Sequence, residues 1–196
     1  MTLTMAKKVE TRENFLSHEE CVSLIALARP NMTKSFVWDV AKGTTVQSDY
    51  RRSDQLFLAP GQTELVKTIE NRISETTNTP LVNGEGLQVV HYEVGGYYKQ
   101  HFDYFDPAFP GNLAALQRGG QRVLTCMIYL NNVQEGGETT FPSLELSFAP
   151  KEGMALIWRN VLSDGKPDPD TMHSAEPVKK GEKWIVTRWV RERRFL

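Results

Sequence analysis

Lys183-Trp-Ile-Val-Thr-Arg-Trp-Val190 is rich in β-branched and aromatic residues. On a strand, alternate side chains point to one face, which puts Lys183, Ile185, Thr187 and Trp189 together and Trp184, Val186 and Val190 opposite them. Either set suits the inside of a sheet. Working outward, three further runs have the same texture: Leu87-Gln-Val-Val-His-Tyr-Glu-Val94, Arg122-Val-Leu-Thr-Cys-Met-Ile-Tyr-Leu130 and Gly153-Met-Ala-Leu-Ile-Trp158. Turn clusters separate them, at Gly95-Gly96, Gly119-Gly120, Gly136-Gly137 and Asp164-Gly-Lys-Pro-Asp-Pro169. Short strands bounded by turns, with no helical pattern between them, predict an antiparallel sandwich or barrel.

Upstream of Gly86 the pattern is helical. Ser17-His-Glu-Glu20 opens like a capping box, and Leu16, Cys21, Leu24, Ile25, Leu27 and Ala28 recur near helical spacing until Pro30. A second helix is predicted from about Gln62 to Thr76, with Leu65, Val66, Ile69 and Ile73 on one face. The expectation is a mainly β, α+β fold in a single domain spanning 1–196, with the N-terminal helices packed on one face of the β core.

Composition narrows the function classes. Of 196 residues, 40% are hydrophobic and 24% charged, which is globular rather than disordered. Twenty-three basic against 24 acidic residues leave a net charge of -1, arguing against nucleic acid or an anionic membrane as the main partner. No apolar run approaches the roughly 20 residues of a spanning helix. The segment Met1–Glu10 lacks the apolar stretch of a secretory signal, and only Cys21 and Cys126 are present, so a cytoplasmic protein with buried, reduced thiols is expected. The basic C-terminal run (Lys179, Lys180, Lys183, Arg188, Arg191, Arg193, Arg194) reads as a solvated strand and terminus.

Chemistry enters with His101-Phe-Asp103. At strand spacing, His101 and Asp103 project side by side, offering one imidazole and one carboxylate, while Phe102 packs behind. His173, at the end of a polar loop and ahead of the last strand, is the natural third ligand. Two histidines and a carboxylate on one face of a metal leave positions open, as in non-haem Fe(II) oxygenases. A short H-x-D also arises as a strand-end pair bonding a turn, and Lys183 at a strand start also suits a solvated charge.

The order of the pieces resembles the prolyl 4-hydroxylase family of Fe(II)/2-oxoglutarate dioxygenases. The matching segments run from Leu87-Gln-Val-Val-His-Tyr92 through His101-Phe-Asp-Tyr-Phe-Asp-Pro107, Gly119-Gly-Gln-Arg-Val-Leu-Thr125, Met127-Ile-Tyr-Leu130, Gly136-Gly-Glu-Thr-Thr-Phe-Pro142 and Asp170-Thr-Met-His-Ser174 to Gly181-Glu-Lys-Trp-Ile-Val-Thr-Arg-Trp189. Tyr50-Arg-Arg-Ser53 looks like the family's substrate-loop region. The resemblance implies a double-stranded β-helix (jelly-roll) core and hydroxylation of prolyl residues in a peptide or protein, with release of succinate and CO2. It implies that His101, Asp103 and His173 ligate Fe(II), and that Lys183 takes the distal carboxylate of 2-oxoglutarate with help from Thr139 and Tyr92. It also implies that Tyr98, Arg122 and Trp189 meet the peptide, with O2 as co-substrate and ascorbate as a further requirement.

Tyr92 equally suits plain core, Thr139 beside Thr140 an ordinary strand pair, and Trp189 core. Arg188 stands where relatives commonly have Lys, and its position beside Trp189 raises the expectation of altered substrate contacts. Oxidation of a free amino acid or of another side chain, a cupin-like metal-binding barrel without catalysis, and a zinc hydrolase are the competing readings.

Overall fold

A computed structural model describes residues 8–39 and 41–195. Two antiparallel sheets face each other. The larger has seven strands in the order Val9–Arg12, Ala155–Arg159, Arg122–Tyr129, Lys183–Arg191, Leu87–Tyr92, Asp54–Leu58 and Thr33–Lys34. The smaller has five, in the order Leu146–Phe148, Thr139–Phe141, His173–Ala175, Tyr97–His101 and Arg51–Arg52. Apart from the adjacent pair Thr139–Phe141 and Leu146–Phe148, most neighbours are distant in the chain, the crossing pattern of a double-stranded β-helix. A two-stranded hairpin, Val37–Asp39 with Thr44–Val46, stands apart from both sheets.

The first helix, His18–Ala28, starts as the sequence predicts. Ser17 accepts from the Glu20 backbone N–H, and the Glu20 carboxylate accepts from the Ser17 N–H. The same carboxylate receives two guanidinium bonds of 2.7 Å from Arg72 on the second helix, Glu64–Thr77. One residue thus caps one helix and clamps it to the next. Cys21, Leu24 and Ala28 of the first helix and Val66, Ile69 and Ile73 of the second pack on the outer face of the large sheet, against Val89, Cys126, Ile128, Trp184 and Val186. A separate core between the sheets holds Val90, Tyr92, Met127, Tyr129, Phe141, Leu156, Trp158 and Ile185.

The central strand therefore has no solvent face. All nine residues of Lys183–Arg191 are buried, Trp184, Val186 and Val190 under the helices and Ile185 between the sheets. This corrects the reading of the basic run as a solvated strand: Lys183, Arg188 and Arg191 are 0%, 2% and 3% exposed. Alternation separates two faces, but it does not say that both are covered. Arg188 also lies on the face opposite Trp189, where it donates to the carbonyls of Glu70, Glu85 and Leu81 and ties the second helix to the sheet. It makes no contribution to the inter-sheet cavity. A short helix, Leu113–Gln117, and the 3-10 turns Pro110–Asn112, Pro142–Leu144 and Pro169–Thr171 interrupt the strands of the second half.

Candidate active site

His101 ends the Tyr97–His101 strand and His173 begins His173–Ala175; the two are cross-strand partners. Asp103 lies two residues beyond the strand end, so the strand spacing expected for His101-Phe-Asp103 gives way to a bend there. Phe102 does not pack behind the pair; it stacks on Tyr104 with ring centroids 4.6 Å apart. The outcome is still convergence. Ligand atoms of His101, Asp103 and His173 lie within 4.8 Å of one another. The His101 Nε2 is 3.9 Å from Asp103 Oδ1, and the His173 Nε2 is 3.8 Å from Asp103 Oδ2.

Both imidazoles are oriented from behind. His101 Nδ1 lies 2.8 Å from the Lys99 carbonyl and His173 Nδ1 lies 2.9 Å from the Thr171 carbonyl. A carbonyl can only accept, so the protons sit on Nδ1 and each Nε2 lone pair faces Asp103. Ring contacts fix the planes: Tyr98 stacks on His101 at 3.5 Å between centroids, and Phe141 and Trp158 pack on His173. Burial, reinforced by His173, pushes the His101 imidazole down to about 3, so it is neutral and able to bind metal. Burial would raise the Asp103 carboxyl, but His173, His101, Arg122 and the Thr125 hydroxyl outweigh it and hold it below the usual carboxylate range. Two imidazoles and one carboxylate are a donor set that suits a divalent metal.

Deeper in the same cavity lies Lys183, wholly buried, which settles the choice between solvated and inward in favour of inward. Its Nζ donates to Thr139 Oγ1 at 3.5 Å, and the Tyr129 hydroxyl donates to the same oxygen at 2.7 Å. The ammonium lies over the rings of Tyr92 and Tyr129, at 5.3 and 5.5 Å. Among the described residues it forms no ion pair, and burial, only partly offset by Glu138 and Glu176, pulls it down to about 7. A buried ammonium without a counter-ion is costly, so this end of the cavity suits an anionic ligand. Tyr92 pairs with Lys183 across the strands and Thr139 opens the Thr139–Phe141 strand, and both line the cavity.

The cavity opens into a wide cleft of about 740 Å3 bordered by Trp38, Tyr50, Phe57, Phe105, Phe109 and Arg122, with Tyr98 and Trp189 at the junction. Arg122 lies 3.7 Å over the Trp189 ring and is held there by Glu85, which receives bonds of 2.6 and 2.9 Å from its Nε and Nη2. Arg191 completes a buried triad, its Nε 2.7 Å from Glu85. Arg51 packs over Tyr98, its guanidinium 4.7 Å from the ring centroid, and donates from Nε to Ser53 Oγ at 2.9 Å. Arg51 belongs to the Tyr50–Ser53 segment that the sequence marks as a substrate loop, whereas Glu85, Thr125 and Tyr129 have no such mark as site residues; only an inward register for Arg122–Tyr129 points to Thr125 and Tyr129.

Residues 87–191 match the model of the 2OG-Fe(II) oxygenase superfamily. The chain is 45% identical to probable prolyl 4-hydroxylase 8 of Arabidopsis thaliana, over 90% of its own length and 66% of that protein's, and 42% identical to prolyl 4-hydroxylase 5 of the same plant, over 93% and 67%. It therefore spans about two thirds of these curated relatives. Its fold superposes on a viral collagen prolyl hydroxylase from Paramecium Bursaria Chlorella virus-1, solved as a 2OG complex, with a TM-score of 0.75, 31% identity, and coverage of 97% of this chain and 99% of that one. The chain belongs to the prolyl 4-hydroxylase family of 2OG-Fe(II) oxygenases. The jelly-roll core and the dioxygenase class inferred from the motifs both stand, and iron, 2-oxoglutarate and O2 are the reagents of the superfamily. In this family member the histidine–carboxylate cluster and the buried lysine share one cavity.

Proposed function

We propose that this prolyl 4-hydroxylase family member hydroxylates prolyl residues, at ring position 4, within a peptide or protein chain. The observation that carries the reading is Lys183: an ammonium with no carboxylate partner among the described residues, sealed into the same cavity as a two-histidine, one-carboxylate cluster. One end suits a metal and the other the far carboxylate of an oxo-diacid.

In this reading His101, Asp103 and His173 hold Fe(II), which when bound supplies the activation of O2. Lys183 neutralises the distal carboxylate of 2-oxoglutarate, with Thr139 and Tyr92 lining the pocket around it. The prolyl C–H gains one oxygen atom of O2, and 2-oxoglutarate takes the other as it loses CO2 and leaves as succinate. The protein orients the partners and excludes water: Val90, Tyr92, Met127, Trp158 and Ile185 form an apolar collar around the cavity. Tyr98 and Trp189 offer faces on which a pyrrolidine ring packs, and Arg122 adds donors for the carbonyls of an extended peptide. An open cleft with aromatic borders favours a chain segment over a free amino acid. Ascorbate, as a reductant that keeps the iron ferrous, belongs to the same proposal.

The test is incubation of the protein with Fe(II), 2-oxoglutarate and ascorbate, together with either a proline-rich peptide or free proline. Succinate formed in step with one oxygen added to the peptide supports the proposal. Oxygen added to free proline, with the peptide untouched, overturns it.

A further inference from the structure

We propose that Asn160 and Thr125 form a directed hydrogen-bond relay that presents the Asp103 carboxylate to the metal, which makes both of them positioning residues of the metal centre. The inference rests on His101, Asp103 and His173 being the metal site.

Thr125 is 0% exposed, and its hydroxyl lies 2.7 Å from Asp103 Oδ2. Asn160, also 0% exposed, lies behind it, with Nδ2 2.9 Å from Thr125 Oγ1. A hydroxyl has one proton. Since the Asn160 amide donates to the Thr125 oxygen, that proton has a single acceptor, the Asp103 carboxylate. The opposite amide orientation would set two acceptors, Asn160 Oδ1 and Asp103 Oδ2, against one proton. The relay therefore has a direction, from Asn160 through Thr125 to Asp103.

Both ends are fixed. Thr125 is paired on either side within the large sheet, to Trp158 and to Trp189. Asn160 donates its backbone N–H to the Val123 carbonyl and accepts from the Asp168 N–H, each at 3.0 Å. Asn160 Oδ1 is buried without a hydrogen-bond partner, which a residue chosen for core stability alone would avoid. The arrangement makes sense as orientation. Asp103 lies past the end of its strand, where no ladder hydrogen bonds hold it, and the Thr125 proton fixes the rotation of its carboxylate between the two His Nε2 atoms.

The test is calorimetric titration of the metal-free protein with Mn(II), without 2-oxoglutarate or peptide, alongside melting curves in chelator. Thr125→Val keeps the shape and deletes the donor; the expected result is Mn(II) affinity weakened by about 10–100-fold, with a lower melting temperature in chelator because the buried Asn160 amide loses its partner. Thr125→Ser restores the donor and should recover the affinity. Asn160→Ala frees the hydroxyl to rotate and is expected to weaken binding less than Thr125→Val. If Thr125→Val does not fold, the Ser and Asn160 variants decide alone. Wild-type affinity in Thr125→Val or in Asn160→Ala, or no recovery in Thr125→Ser, overturns the relay. A wild-type protein that binds no Mn(II), or that binds it unchanged in His101→Ala, overturns the metal assignment and the relay with it, and so is distinguishable from failure of the relay alone.

Discussion

Lys183 Nζ lies 3.5 Å from Thr139 Oγ1, and among the described residues no carboxylate comes within ion-pair range of it. An ammonium so placed destabilises the empty protein and becomes favourable only when an anion arrives. Lys183→Met is therefore expected to move two quantities in opposite directions. The 2-oxoglutarate KM should rise by about 100-fold or more, since a buried charge pair loses one partner. The melting temperature of the ligand-free protein should rise, since an unpaired buried charge is replaced by an apolar chain. Steady-state kinetics and a thermal scan without ligand measure both, and an unchanged KM removes Lys183 from its assigned role.

The Lys183 ammonium, at about 7, predicts a pH dependence with a definite sign. The bound carboxylate needs the charged form, so above about pH 7 each binding event takes up a proton. Apparent 2-oxoglutarate affinity should fall as pH rises from 7 to 9, by at most about tenfold per unit. Calorimetry in buffers of different ionisation enthalpy reads the proton uptake directly. Ligand-free stability runs the other way. Between about 7 and the ordinary lysine value of 10.5, the unfolded chain binds more protons than the folded one, so stability rises with pH across that window.

Glu85 holds the half-buried Arg122 and the buried Arg191 at once. Glu85→Ala leaves two cations without their carboxylate and is expected to cost about 3–5 kcal/mol in urea unfolding. Arg122 should also lose its position over Trp189. In any variant that remains folded, the peptide KM is then expected to rise while the 2-oxoglutarate KM stays constant.

The two faces of the central strand should separate stability from substrate binding. Trp184 is buried on the helix side, stacked on His91 at 4.1 Å between ring centroids. Trp184→Ala should destabilise by about 3–5 kcal/mol, as large-to-small core changes do. Its 2-oxoglutarate and peptide KM values should stay near wild type. Trp189→Ala, on the cavity side, should raise the peptide KM. Urea midpoints and steady-state kinetics on the pair check the contrast.

Burial pushes the Cys126 thiol up to about 12 and the Cys21 thiol up to about 11. Neither is a thiolate at neutral pH, so both should resist alkylation in the native protein and react in denaturant. Mass analysis after a timed pulse of iodoacetamide reads this; rapid native modification of Cys126 would contradict its place under the helices.

The segment order from Leu87 to Trp189 carried the jelly-roll core, and local signals carried the helices: Ser17 and Glu20 for the first cap, the apolar stripe Val66, Ile69, Ile73 for the second helix. The His101, Asp103 and His173 cluster was legible through the resemblance, whose segments hold all three; the H-x-D spacing alone equally suited a strand-end pair. Strand alternation grouped Lys183 with Ile185, Thr187 and Trp189, yet left open which group faced inward. Only the tertiary structure decided that both faces of this strand are covered, since coverage comes from helices and a second sheet far away in the chain. For the same reason it alone assigned Arg188 to the helix interface, paired Glu85 with Arg122 and Arg191, and set Asn160 and Thr125 behind Asp103. A side chain's face follows from local backbone periodicity; what lies opposite that face is fixed by long-range packing, which no local spacing records.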